Sequence, residues 1–131
     1  MDHHRYSKSS LDKLAMAHND LERVMHLALK KSKYDIGISK ALRTVEEQKK
    51  LVAEGKSTTM KSMHLADKNG DALAVDYFGY DKNGKASWEK PVLRKIAGAI
   101  FEAAFELGVQ IQWGGHWESF LDMPHIQLKV K

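Results

Sequence analysis

Between Ala72 and Phe78 the chain reads Ala-Leu-Ala-Val-Asp-Tyr-Phe, an apolar run with a carboxylate inside it. A short apolar run bounded by turn residues reads as a buried strand. A charge in such a strand is destabilising unless it is paired or bound to a metal. Whatever this chain folds into must therefore bring partners to Asp76. The chain has no cysteine, so any metal has to be held by histidines and carboxylates. Two histidines stand out. His64 closes Ser62-Met63-His64, just upstream of the strand. His125 lies in the C-terminal stretch Trp113 to Gln127, where two glycines and a proline bracket polar and aromatic residues. Two imidazoles and one carboxylate make a ligand set for a divalent ion, and zinc is the ion expected. Asp122, three residues before His125, is then left as a carboxylate without a structural task. A zinc hydrolase needs such a group to move protons. Arg43 is a candidate for offsetting charge on a tetrahedral intermediate.

The remaining pattern predicts a small α+β domain over residues 1–131. An antiparallel sheet packs with about three helices and carries the zinc site at its edge. Residues 1–9 are polar and read as loose. Ser10 can cap a helix from Leu11, whose stripe runs through Leu14, Leu21, Met25 and Leu29 to Lys30, Lys31 and Lys33. His18 and His26 fall in it as surface or partly packed histidines, not ligands. Asp35 to Ser39 is short and β-like. Thr44-Val-Glu-Glu47 is a capping box, so a helix should start at Val45 and end at Gly55. Lys56 to Lys61 reads as a loop. Asp67-Lys-Asn-Gly-Asp71 partly resembles a calcium loop, but its glycine is misplaced and its closing glutamate absent, so it reads as a hairpin turn. Asp81 to Gly84 is a second turn. Ser87 can cap a third helix, with Pro91 in its first turn. Phe101 and Phe105 widen its apolar stripe, and Gly108 ends it. Val109 to Trp113 and His125 to Val130 alternate as strands.

The formal net charge of +4 favours acidic partners. The lysines are scattered, however, and the aromatics sit with glycines and histidines, which speaks against a nucleic-acid module. No apolar run approaches the ~18 residues of a membrane span. The N-terminus lacks the apolar core of a signal peptide, so synthesis in a cytoplasm and no membrane insertion are expected.

Several motifs in order resemble one family. They are Leu42-Arg43-Thr44-x-Glu-Glu-Gln48, Ser62-x-His64, Ala74-x-Asp76 followed by an aromatic, Trp113-Gly-Gly-x-Trp117, and Asp122-x-Pro-His125-x-Gln127. Together they resemble the zinc peptidases that include D-alanyl-D-alanine carboxypeptidases and dipeptidases and the phage L-alanyl-D-glutamate peptidases. The resemblance covers about residues 34–130. The short chain looks most like a phage endolysin. That implies a monomeric zinc endopeptidase without a separate wall-binding domain, made in the host cytoplasm. It would act on the stem peptide of periplasmic peptidoglycan and cause host lysis. The resemblance places zinc on His64, Asp76 and His125, acid/base catalysis on Asp122, and substrate or transition-state contact on Arg43. Ser62, Trp113, His116 and Gln127 become candidate substrate-binding residues, with Trp117 a second candidate wall of the cleft. A D-alanyl-D-alanine carboxypeptidase is the alternative within the family, and a basic wall- or nucleic-acid-binding module or a structural zinc domain the alternatives outside it. The spacing of twelve between His64 and Asp76 is longer than is usual in the family, and Gly70-Asp71-Ala72 offers a rival match. Burial favours Asp76, and the odd separation of the two aspartates would put them on opposite faces of one continuous strand.

Overall fold

The computed structural model describes residues 4–57, 62–118 and 121–129. Among them are four α-helices and five strands in one antiparallel sheet. The first expected helix is two helices. Ser7, not Ser10, caps α1 (Lys8–Leu14) by accepting from the Ser10 N–H. The chain then breaks, and the His18 imidazole caps α2 (Asn19–Lys31) by accepting from the Asp20 N–H. The break lets Ala17 bridge Ala72, which ties the N-terminal helices to the start of the central strand. The segment read as loose is not so in its described part. Tyr6 is buried, and its hydroxyl donates to the Met25 carbonyl.

Strand β1 (Ile36–Lys40) leads to α3 (Val45–Ala53), whose capping box between Thr44 and Glu47 is complete. Gly55 follows with φ 74°, as a helix-ending glycine does. Of the expected loop to Lys61, residues 58–61 lie outside the described residues. The central strand β2 (Ala74–Tyr80) comes next, then the two-residue β3 (Ala86–Ser87). Ser87 therefore belongs to a strand, and α4 (Lys90–Leu107) begins without a side-chain cap after Glu89. Pro91 in the first turn removes one of the N–H groups that would have needed a partner. Strand β4 (Ile111–Trp113), a single 3-10 turn (Gly114–His116) and β5 (His125–Leu128) complete the order. Val130, expected in the last strand, lies outside the described residues.

The sheet runs β1-β2-β5-β4, with β3 also on β2. Its faces differ by strand parity. Val75, Tyr77, Ile126 and Leu128 join Leu21, Met25, Ile96 and Ile100 of α2 and α4 in one core. Tyr77 anchors this side by donating its hydroxyl to the Leu93 carbonyl. Phe105 does not extend the stripe of α4; it is 87% exposed. The alternate residues Asp76, Phe78 and Tyr80 point to the other face, together with His125 and Gln127. The candidate ligands Asp76 and His125 sit there.

Candidate metal centre

Asp76 and His125 are direct partners in the β2–β5 ladder. Opposed residues of an antiparallel pair hold their Cβ atoms about 4.5–5.5 Å apart on one face, so the register alone brings this carboxylate to this imidazole. His64 arrives from a loop pinned on both sides. The Arg43 N–H donates to the His64 carbonyl at 2.8 Å, and the Leu73 N–H donates to the Met63 carbonyl at 2.8 Å. The Ser62 hydroxyl accepts from the His64 N–H.

The three donor groups converge, with their ligand atoms within 4.8 Å of one another. Asp76 Oδ1 lies 3.2 Å from His64 Nε2 and 3.2 Å from His125 Nδ1. Each imidazole has its other nitrogen engaged. His64 Nδ1 is 2.8 Å from the Ala41 carbonyl, which can only accept, so Nδ1 carries the proton. His125 Nε2 is 2.8 Å from Gln127 Oε1 and donates to it. In the neutral rings the remaining nitrogens present lone pairs to a carboxylate oxygen. Acceptors converging in this way require a cation or extra protons between them. Such outer partners also fix the tautomer a metal ligand needs. Two imidazole nitrogens and one carboxylate oxygen make a donor set that could hold a metal ion.

Protons are the other way to satisfy the cluster. Burial raises the Asp76 carboxyl, but hydrogen bonds from His125 and His64 and their charge outweigh it, and the group titrates well below the usual carboxylate range. Burial lowers His125, and its bonds to Asp76 and Gln127 outweigh that in the opposite sense, so its titration is raised.

Asp122 stands at the rim. Its Oδ2 is 3.8 Å from His125 Nδ1, and its side chain is 47% exposed. Burial and the neighbouring Asp76 carboxylate push its titration up, against the pull of His125, His64 and Arg43. The Asp122 N–H donates to the Gly114 carbonyl. A Cβ at Gly114 would collide with the Asp122 backbone, so only glycine lets the two segments approach this closely.

Comparisons with known proteins show the family. The profile of the phage L-alanyl-D-glutamate peptidase family matches residues 2–129. The chain belongs to this family. An L-alanyl-D-glutamate peptidase of Escherichia phage T5 is 31% identical over 129 residues, covering 95% of this chain and 89% of that protein. The peptidoglycan L-alanyl-D-glutamate endopeptidase CwlK of Bacillus subtilis is 27% identical over 104 residues, covering 72% of this chain and 60% of that one. The crystal structure of the Serratia marcescens L-Ala D-Glu endopeptidase ChiX superimposes with a TM-score of 0.87 at 35% identity, covering 98% of this chain and 92% of that one.

Within this peptidase fold the other candidate residues are placed as follows. Arg43 donates to Gln48 Oε1 at 2.8 Å and to the Ser62 hydroxyl at 3.4 Å, and its charge is felt at Asp122. Trp117, not Trp113, borders the site, with its ring centroid 5.1 Å from that of His125. Trp113 is a core residue whose indole N–H donates to the Met123 carbonyl. His116 packs its ring against Trp113 and Phe101. Trp113 is thus buried, whereas His116 is exposed. Gln127 lies behind His125 and in turn donates to Gln112. Asp71 lies in the turn before β2, where its main-chain N–H donates to Asp67 Oδ1. Strand β2 starts only at Ala74, so the parity argument does not reach Asp71, which is not among the converging ligand groups. The Asp67 carboxylate accepts from both Asn69 and Asp71 N–H, as in an ordinary hairpin turn.

Two contributors were missed in the sequence. Gln48 is fully buried and connects Arg43 to Ser57. Its signal was there: a polar residue one turn before Leu51 and Val52, on the inward stripe of α3. Gln112 had no local signal, because its role exists only through the β4–β5 pairing with Gln127.

Proposed function

We propose that the chain is a zinc-dependent endopeptidase of peptidoglycan that cleaves the L-alanyl-D-glutamate bond of the stem peptide, as a phage endolysin lysing its host. The observation that carries this is the convergence of His64 Nε2, Asp76 Oδ1 and His125 Nδ1 beside a carboxylate that takes no place among them. His64, Asp76 and His125 would hold the ion. When bound, it supplies Lewis acidity, polarising a carbonyl and making water nucleophilic near neutral pH.

The chain's own residues do the rest. Asp122 accepts a proton from the attacking water as its oxygen bonds to the alanyl carbonyl carbon. It returns the proton to the glutamate nitrogen as the C–N bond breaks. Arg43, held by Gln48 and Ser62, presents a fixed positive charge to the oxyanion or to a substrate carboxylate. The Trp117 ring walls one side of the cleft over His125. The protein would act on periplasmic peptidoglycan. Among the described residues no helix is long and apolar enough to cross a membrane.

Digestion of purified peptidoglycan, followed by mass spectrometry of the products, tests the reading. New D-glutamyl N-termini, lost on chelation and restored by zinc, are the expected result. Release of free D-alanine alone would instead make the chain a carboxypeptidase. Undiminished cleavage by protein shown to be metal-free would overturn the metal-dependent mechanism.

A further inference from the structure

The open face of β2 does not end at Asp76. The next residues on that face are Phe78 and Tyr80, whose rings lie 5.2 Å apart. Trp88, just after β3, stacks on Phe78 at 4.9 Å with 29° between the planes. The Phe78 ring also lies over Gly37 of β1, where a Cβ would collide with it. None of the three aromatics belongs to the core cluster or packs against it. Trp88 is 48% exposed although one of its faces is covered by Phe78. Its exposure therefore comes from the other face and the edge. The strip is continuous with the metal group: it begins one same-face step beyond Asp76, about 7 Å along the strand.

We propose that this strip is a subsite for the glycan strand, with Trp88 stacking on an amino-sugar ring on the acyl side of the scissile bond. The proposal rests on the substrate named above. In peptidoglycan the L-alanine of the stem is amide-linked to the lactyl group of N-acetylmuramic acid. A sugar ring is therefore a few bonds from the cleaved carbonyl, the same scale as the step from Asp76 to Phe78. A pyranose offers an apolar face of C–H groups to an aromatic ring and leaves its hydroxyls in water. Such binding needs no buried polar partner, and an exposed aromatic face such as that of Trp88, backed by the half-buried Phe78, is the surface it requires.

The test compares one stem peptide with and without its disaccharide as substrates for the full chain and for Trp88→Ala. The expected result is that the preference for the disaccharide-bearing substrate, as a ratio of kcat/KM values, falls about tenfold in Trp88→Ala and is largely kept in Trp88→Phe. Thermal melting of both variants checks that the fold is intact. Binding is measured separately, with no cleavage involved, by titrating the N-acetylglucosamine tetramer into Asp122→Asn and following the tryptophan indole N–H resonances. A shift of the Trp88 resonance that saturates supports the subsite even if neither peptide is cut, in which case only the assigned reaction fails. An unchanged preference in Trp88→Ala, or no response of the Trp88 resonance to the tetramer, overturns the proposal.

Discussion

The two faces of β2 carry opposite duties. Val75 and Tyr77 are wholly buried against α2 and α4, and the Tyr77 hydroxyl is bonded to the main chain of α4. Asp76, one residue away, holds a charge whose partners are two histidines from distant segments. Side chains alternate across a strand, so one short segment can stabilise the fold with its odd positions and bear chemistry on its even ones. The lesson is that stability and function should separate by parity here, and substitutions can test that separation.

The largest effect is expected at Asp76. If the proposed ligand set is right, Asp76→Ala should lose both bound zinc and activity, as should His64→Ala or His125→Ala. Asp71→Ala should keep stoichiometric zinc, measured by elemental analysis after dialysis. Zinc lost from Asp71→Ala and kept by Asp76→Ala would exchange the roles of the two aspartates. Asp122→Asn should come next. It should retain zinc while turnover falls roughly 10²–10⁴-fold, since the proton shuttle is gone and the ligands are not. Zinc loss in that variant would put Asp122 among the ligands.

Much of this was legible in the sequence because it rests on local rules. The capping box at Thr44 and the glycine ends of α3 and α4 are contained in a few consecutive residues. The cost of burying Asp76 could be read from its neighbours alone. What could not be read depends on contacts between segments. The break between α1 and α2 is set by Ala17 meeting Ala72, and the apolar stripe runs through it without interruption. Trp113 shared a motif with Trp117 but faces the core, because the β4–β5 register sets it opposite the buried Ile126. Gln127 meets His125 within β5, two residues along the same face, and only its further bond to Gln112 depends on the pairing of β4 with β5.

That partnership gives the third expectation. Gln127→Ala leaves all three ligands but frees the His125 Nε2–H. Zinc affinity should drop about 10–100-fold, the usual effect of losing an outer partner, and excess zinc should restore activity. Competition with a chromogenic chelator measures it. An unchanged affinity would mean that the strand register alone orients His125.

The smallest effect concerns the edge where the site face meets α3. Lys40 stands opposite Asp76 in the β1–β2 ladder, and its ammonium pairs with Glu47 at 3.1 Å. The backbone N–H of Thr44 lowers Glu47 most, with Lys40 adding to it, from an ordinary value of 4.5 to about 2. A depressed carboxylate stabilises the fold fully above its unfolded value, and that contribution is lost as pH falls through the folded one. The stabilisation from Glu47 should therefore be complete above about pH 4.5 and fade toward pH 2. The group is fully exposed, so the contribution is small and screened by salt. Glu47→Gln should flatten the fall of the melting temperature in that window relative to the parent chain and leave zinc affinity near neutral pH unchanged. A parallel fall in both proteins would assign the acid sensitivity to other carboxylates. A loss of zinc affinity in Glu47→Gln would show that the α3 cap also bears on the metal group, through the Arg43 segment and its bond to His64.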